Sequence, residues 1–205
     1  MIIKINSENP QQRLIRKVTD ILAGGGVIAY PTDTIYGLGC DLYQKDAIKR
    51  IHHLKRHSKN KRLSIICADL KDISNYAYVP DYAYRTMKTL IPGPYTFILE
   101  ATKLVPKIML TKQKTVGIRV PDNTIALALG RELEHPIITT SVTKPDEGLY
   151  NDPEEIDQMF GRQLDMVIDG GIIVAEHSSI LDLTDERPQV LRSGKGDVSF
   201  ITKET

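Results

Sequence analysis

Ten consecutive residues, Tyr30-Pro31-Thr32-Asp33-Thr34-Ile35-Tyr36-Gly37-Leu38-Gly39, hold the densest set of groups able to do chemistry in this chain. They follow directly on the apolar run Val27-Ile28-Ala29-Tyr30, which reads as a buried strand; Pro31 cannot continue a central ladder, so the chain leaves the sheet there. Thr32, Asp33 and Thr34 are then expected to face a polar site beyond the sheet edge. Gly37 and Gly39 are expected to let backbone approach a ligand closely. An ordinary turn is the competing explanation of the same residues.

A second concentration is cationic. Lys49, Arg50, Lys55, Arg56, Lys59, Lys61 and Arg62 stand together with His52, His53 and His57, and no acid lies between Lys49 and Arg62. Beside a glycine-bearing polar loop, such a cluster suits the phosphates of a nucleotide or of RNA, because each phosphate oxygen gains a charge-assisted hydrogen bond. Lys49, Arg50, Lys59, Lys61 and Arg62 are the candidate RNA contacts; a solvated basic helix face is the alternative. His53 and His57 stand four apart, but no third ligand follows at a familiar spacing, so no metal site is expected. Gly24-Gly25-Gly26 lacks a following Gly-Lys-Ser, and Gly194-Lys195-Gly196 lacks the rest of a Walker pattern, so any triphosphate is held without a P-loop. Ser141 lacks the Gly-x-Ser-x-Gly turn of a serine hydrolase. No DNA-specific motif is found.

The chain of 205 residues, 41% hydrophobic, is long enough to bury a substantial core and is read as one domain over residues 1–205. Its formal charge of +1 leaves attraction for polyanions to local clustering. No segment approaches the roughly 18 uninterrupted apolar residues of a membrane span, and Met1-Ile2-Ile3-Lys4-Ile5-Asn6 lacks a secretory apolar region. A soluble, cytoplasmic protein is expected. Cys40 and Cys67 lie far apart in apolar surroundings and read as buried reduced thiols.

The elements that must position these groups alternate. Leu14, Ile15, Val18, Ile21 and Leu22 recur at helical spacing and close on the three glycines that turn into the strand ending at Tyr30. Ile48, Ile51 and Leu54 predict a helix after Asp46, and Ser64-Ile65-Ile66-Cys67 a strand. Helices follow over 68–77 and 81–90, with strands over 95–99 and 115–120. A helix from about Asn123 to Glu134 precedes a strand over 136–140. Asp152, with Pro153, Glu154 and Glu155 behind it, is a well-formed helix start. Segments 165–171, 180–183 and 189–192 supply the last strands. Helix pairs and adjacent late strands break a strict βαβ rhythm, so an α/β fold with a mixed, twisted sheet flanked by helices is expected.

Taken together, the Tyr30–Gly39 segment, Pro92-Gly93-Pro94-Tyr95-Thr96, Val116-Gly117-Ile118-Arg119-Val120-Pro121, Thr139-Thr140-Ser141 and Val190-Leu191-Arg192-Ser193-Gly194 resemble the YrdC/YciO family over nearly the whole chain. The resemblance implies a YrdC/RibB-like sheet with a wide, positively charged concave surface. It implies threonylcarbamoyl-adenylate synthesis from threonine or a similar small amino acid, bicarbonate and ATP, feeding modification of an adenosine in tRNA. ATP enters as a substrate, with magnesium as its companion, and no tightly held cofactor is implied. Double-stranded RNA binding without catalysis is the alternative that the family offers. Carried over by position, Thr32 holds the amino acid and Arg119 its carboxylate. Thr115, Ser141 and Arg192 contact the nucleotide, Thr139 opens the last hydroxyl-rich motif, and Ser178 helps enclose the substrate.

The departures are as informative. Active synthases carry Lys-x-Arg and Ser-x-Asn pairs; here these read Lys55-Arg56-His57 and Ser141-Val142-Thr143. A permanent guanidinium has become an imidazole that is mostly neutral near pH 7, and an amide has become a hydroxyl with fewer donors. Loss of such an arginine costs on the order of 2–4 kcal/mol of transition-state stabilisation where it faces developing phosphate charge. Lys55, His57, Ser141 and Thr143 are therefore the candidate catalytic set. The stretches 149–155 and 182–185 look closer to the YciO branch.

Overall fold

The starts of three helices follow the capping chemistry that the sequence shows. In the computed structural model, which describes residues 1–55, 62–110, 112–144 and 148–202, the Asp152 carboxylate accepts from the Glu154 amide at 2.8 Å and Pro153 opens the helix behind it. Asn123 caps its helix through Ala126 N–H in the same way, and Asp69 through Asp72 N–H.

In chain order the elements are β1 (Ile2–Lys4), α1 (Gln12–Ala23), β2 (Val27–Tyr30), β3 (Gly37–Asp41), α2 (Lys45–Leu54), β4 (Ser64–Ile66), α3 (Leu70–Tyr76), α4 (Asp81–Leu90) and β5 (Tyr95–Glu100). They continue with β6 (Thr115–Arg119), α5 (Thr124–Leu133), β7 (Ile137–Ser141), α6 (Pro153–Phe160), β8 (Met166–Asp169), β9 (Ser179–Asp182), β10 (Gln189–Arg192) and α7 (Ser199–Thr202). The described strands form one sheet in the order β1-β8-β2-β3-β7-β4-β6-β5-β9-β10. Pairing is parallel between β1 and β8, β8 and β2, β4 and β6, and β5 and β9, and antiparallel elsewhere, so the sheet is mixed as expected.

Two apolar layers cover the sheet unequally. On one face Leu38, Ile65, Ile118, Ile138, Phe97 and Leu181 pack beneath α2, α3, α4 and α6. On the other, Ile28, Tyr30, Ile66, Ile137, Met166 and Ile168 pack beneath α1 and α5, whose buried residues Ile15, Val18 and Leu22 repeat at helical spacing. That second layer covers the half of the sheet around β8 and β2 and reaches Ile137 of β7 and Ile66 of β4. It includes no residue of β6, β5 or β9, and that part of the face is left open.

Several expectations are corrected. Segment 37–41, for which no element was expected, is a strand: Gly37 and Gly39 pair with Tyr30 and Ile28 in a regular antiparallel ladder. The β1 edge strand and the short α7 in the tail were not anticipated, because each lies in a short segment held by partners distant in sequence. As expected, Cys40 and Cys67 are buried free thiols; burial first, and nearby carboxylates second, push both ionisations up, Cys40 to about 12.

Candidate functional site

The open half of the sheet forms a basin of about 1010 Å³. Strand register explains its depth. One line of residues crosses five ladders: Gly39 opposite Thr139, Thr139 opposite Ser64, Ser64 opposite Gly117, Gly117 opposite Ile98, and Ile98 opposite Asp182. Glycine, threonine and serine occupy its middle, so no large side chain rises from the centre of the sheet. Period-2 alternation puts Thr115 and Arg119 on the same face as Gly117, and all three line the basin. Of the described residues facing it, Arg62, Arg119 and Arg192 are cationic and Asp182 is the one acid.

Arg119 extends from the end of β6 into the Pro31–Ile35 loop. Its Nη2 donates to Asp33 Oδ1 at 2.7 Å and to Thr34 Oγ1 at 2.8 Å. The pair is nearly dry, with 11% and 8% of the two side chains exposed, and the buried Arg119 Nε has no partner among the described residues. The second Asp33 oxygen accepts from the Asp122 amide at 3.1 Å, and the Asp33 carbonyl accepts from Lys195 Nζ at 2.6 Å. A buried guanidinium therefore finds the partner its burial demands.

Arg192, at the end of β10, is held by a fork. Its Nε and Nη2 donate to the Ser178 carbonyl at 3.0 and 2.8 Å, and Nη2 also reaches Ser178 Oγ at 3.2 Å. Ser178 Oγ in turn shares a hydrogen bond of 2.8 Å with Thr96 Oγ1. His177 stands beside this group, its ionisation held below the ordinary imidazole value by burial first and then by the charges of Arg192 and Lys55.

Lys55 departs from expectation. It does not line the basin; it lies behind the wall that Ser141 forms, with 4% of its surface exposed. Nζ donates to the Ser141 carbonyl and to Thr143 Oγ1, each at 2.9 Å. Burial holds its ionisation down at about 8. Lys55, Ser141 and Thr143 are thus brought together, whereas His57 lies outside the described residues.

Thr32 faces the basin, but its hydroxyl donates to the Ile35 carbonyl at 2.6 Å and accepts from the Thr34 and Ile35 amides. Its oxygen organises the loop. Thr115, Thr139, Ser141 and Ser178 all line the basin with Arg119 and Arg192. The proposed RNA contacts that are described take separate partners. Lys49 pairs with Asp46, Arg50 pairs with Asp165, and Arg62 turns to the basin. Arg56, Lys59 and Lys61 lie outside the described residues, as does the His57 partner of His53. Among the described residues no group of three or more His, Cys, Asp or Glu could hold a metal.

Sequence reasoning missed several participants. Ser64 was read only as a strand residue, and register alone brings it to the floor. Lys195 was considered only for a Walker pattern, yet it ties the tail to Asp33. Gly194 has room for no side chain, since a Cβ there would lie 2.2 Å from the His177 carbonyl. No local signal marks these contacts, which span up to 162 positions.

Comparison with known proteins places this geometry. The family model Sua5_yciO_yrdC, described as telomere recombination, matches residues 20–194. The chain is 44% identical to the protein YciO of Escherichia coli K12, described as uncharacterized, over 95% of each chain. The solved E. coli YciO structure superposes with a TM-score of 0.93, covering 98% of both chains at 42% identity. A putative threonylcarbamoyl-AMP synthase of Methanocaldococcus jannaschii is 33% identical over 94% of this chain and 92% of its own. Pyrococcus abyssi Sua5, solved in complex with L-threonine, superposes at a TM-score of 0.90 and 29% identity, covering 99% of this chain and 60% of that one.

Proposed function

This chain belongs to the Sua5/YciO/YrdC family, and from that premise we propose that it is an ATP-using nucleotidyltransferase forming a threonylcarbamoyl-adenylate-type anhydride. L-Threonine or a similar small amino acid is carboxylated on its amine by bicarbonate, with loss of water. An oxygen of the resulting carbamate attacks the α-phosphorus of ATP, the bond to the bridging oxygen breaks, and pyrophosphate leaves. The activated product feeds tRNA modification, work that belongs in the cytoplasm.

The observation behind this reading is the convergence of Arg119 and Arg192 on one basin, with Lys55 behind its wall and Asp182 the one facing acid among the described residues. In this reading Arg119 orients the amino-acid carboxylate, a task suited to a guanidinium already fixed at one nitrogen. Arg192, Thr115 and Ser141 contact the nucleotide, and Ser178 and Thr139 close around the guest. Lys55 adds positive charge through the Ser141–Thr143 wall. The L-threonine complex of P. abyssi Sua5 supports an amino acid as one guest.

The test is pyrophosphate release from ATP in the presence of L-threonine and bicarbonate, wild type against Arg119→Ala. Release that needs all three substrates and collapses in the variant is expected; background release, equal in both, rejects the assignment. His57→Arg and Thr143→Asn, which restore the two pairs, are expected to raise the rate.

A further inference from the structure

Gly37 and Gly39 make room for Tyr30. A Cβ on Gly39 would lie 2.6 Å from Tyr30 Cε1, and one on Gly37 would lie 3.2 Å from the same ring. Ladder register sets this up: Tyr30 pairs with Gly37 and Ile28 with Gly39, so the ring folds across the neighbouring strand on the face that carries the basin. The residue is 0% exposed. Its hydroxyl meets the basin wall at one atom, donating to Thr139 Oγ1 at 2.7 Å.

Proton counting decides what this contact does. A hydroxyl has one proton to give and lone pairs to receive. Burial pushes the Tyr30 ionisation far above the ordinary phenol value, so the ring keeps its proton. That proton has Thr139 Oγ1 as its acceptor; were Thr139 to donate to Tyr30 instead, the buried phenol proton would be left without a partner among the described residues, at the cost of an unmade hydrogen bond. Tyr30 is therefore the donor and Thr139 the acceptor. The Thr139 proton is left over, and among the described residues Thr139 Oγ1 donates no hydrogen bond. Thr139 lines the basin.

We propose that Tyr30 is a positioning residue: by filling the acceptor side of Thr139 it turns that hydroxyl into a dedicated donor toward a phosphate or carboxylate oxygen of the basin's guest. The two glycines are required because any side chain at residue 39 would displace the ring. The proposal rests on the basin being the substrate site.

Isothermal titration of the whole chain with magnesium-ATP, with L-threonine and with inorganic phosphate separates the guests. Tyr30→Phe is expected to weaken one or more of them roughly 3- to 10-fold, the worth of one hydrogen bond. Thr139→Val is expected to weaken the same guest at least as much, and Thr139→Ser to retain the affinity. The Tyr30→Phe/Thr139→Val double variant is expected to bind no worse than Thr139→Val alone. A tyrosine that only supports packing would lower the melting temperature with no change in binding, or give losses that multiply in the double variant; either result overturns the proposal. Binding of phosphate but of neither ATP nor L-threonine rejects the proposed reaction while the same cycle is read with phosphate. A wild type that binds none of the three overturns both.

Discussion

Arg119 and Asp33 meet end-on, through one guanidinium nitrogen and one carboxylate oxygen 2.7 Å apart, and the other carboxylate oxygen is claimed by the Asp122 amide. The loop before β3 is thereby locked to the end of β6. Removing the acid leaves a buried cation with Thr34 alone. Asp33→Ala is expected to lower unfolding stability by about 3–5 kcal/mol, the cost of breaking a buried pair from one side. Denaturant titration checks this, and a loss below about 1 kcal/mol would show that water reaches Arg119.

The floor of the basin is intolerant of bulk at Gly117, where a Cβ would come within 2.6 Å of Ser64 Oγ. Gly117→Ala is expected to cost about 1–3 kcal/mol through overpacking. Ser64→Ala in the same chain should recover most of that. Equal stability of the single and double variants would mean that the obstacle is Thr96 or the Ser64 Cβ, each 3.4 Å from the same point, and not the Ser64 hydroxyl.

Lys55 carries a pH signature. Burial sets its ionisation at about 8, against an ordinary value of 10.5. Between those values the unfolded chain still holds the proton and the folded chain has released it, so stability rises with pH across the window; the burial penalty is fully present below pH 8. Lys55→Met should abolish that rise. Chemical denaturation of both proteins at pH 7, 8.5 and 10 measures it, and parallel curves would reject a buried ammonium. Anion binding should run the opposite way, weakening as pH climbs past about 8.

Arg192 grips the Ser178 carbonyl with two nitrogens, a geometry that lysine cannot reproduce. Arg192→Lys is expected to reduce nucleotide affinity about tenfold, equal to about 1.4 kcal/mol, with a smaller effect on L-threonine. Titration calorimetry with each ligand distinguishes the two; equal losses would move Arg192 from the nucleotide to a general support role.

What the sequence allowed to be read divides along the distance over which each cause acts. The start of α6 at Asp152-Pro153-Glu154-Glu155 was legible because cap, proline and acids all act within one turn. Arg119 was legible as a functional candidate through the Val116–Pro121 motif of the family resemblance, though Asp33 as its partner was not. β3 was not anticipated because its two glycines answer to the ring of Tyr30, a requirement visible only once the ladder is paired. Lys55 was assigned to the guest on charge, and the competing claims of Ser141 and Thr143 emerged only with coordinates.

The strands beneath the basin are interior members of the sheet, each flanked on both sides by a paired neighbour. Their amides and carbonyls are already consumed in ladders, which leaves main-chain recognition of a guest to the surrounding loops. Discrimination in the basin is consequently written in a few hydroxyls and the guanidinium groups of Arg62, Arg119 and Arg192. Arg119 is also tied into the scaffold through Asp33, so relatives sharing this framework can diverge in what they accept more freely at the hydroxyls than at that guanidinium.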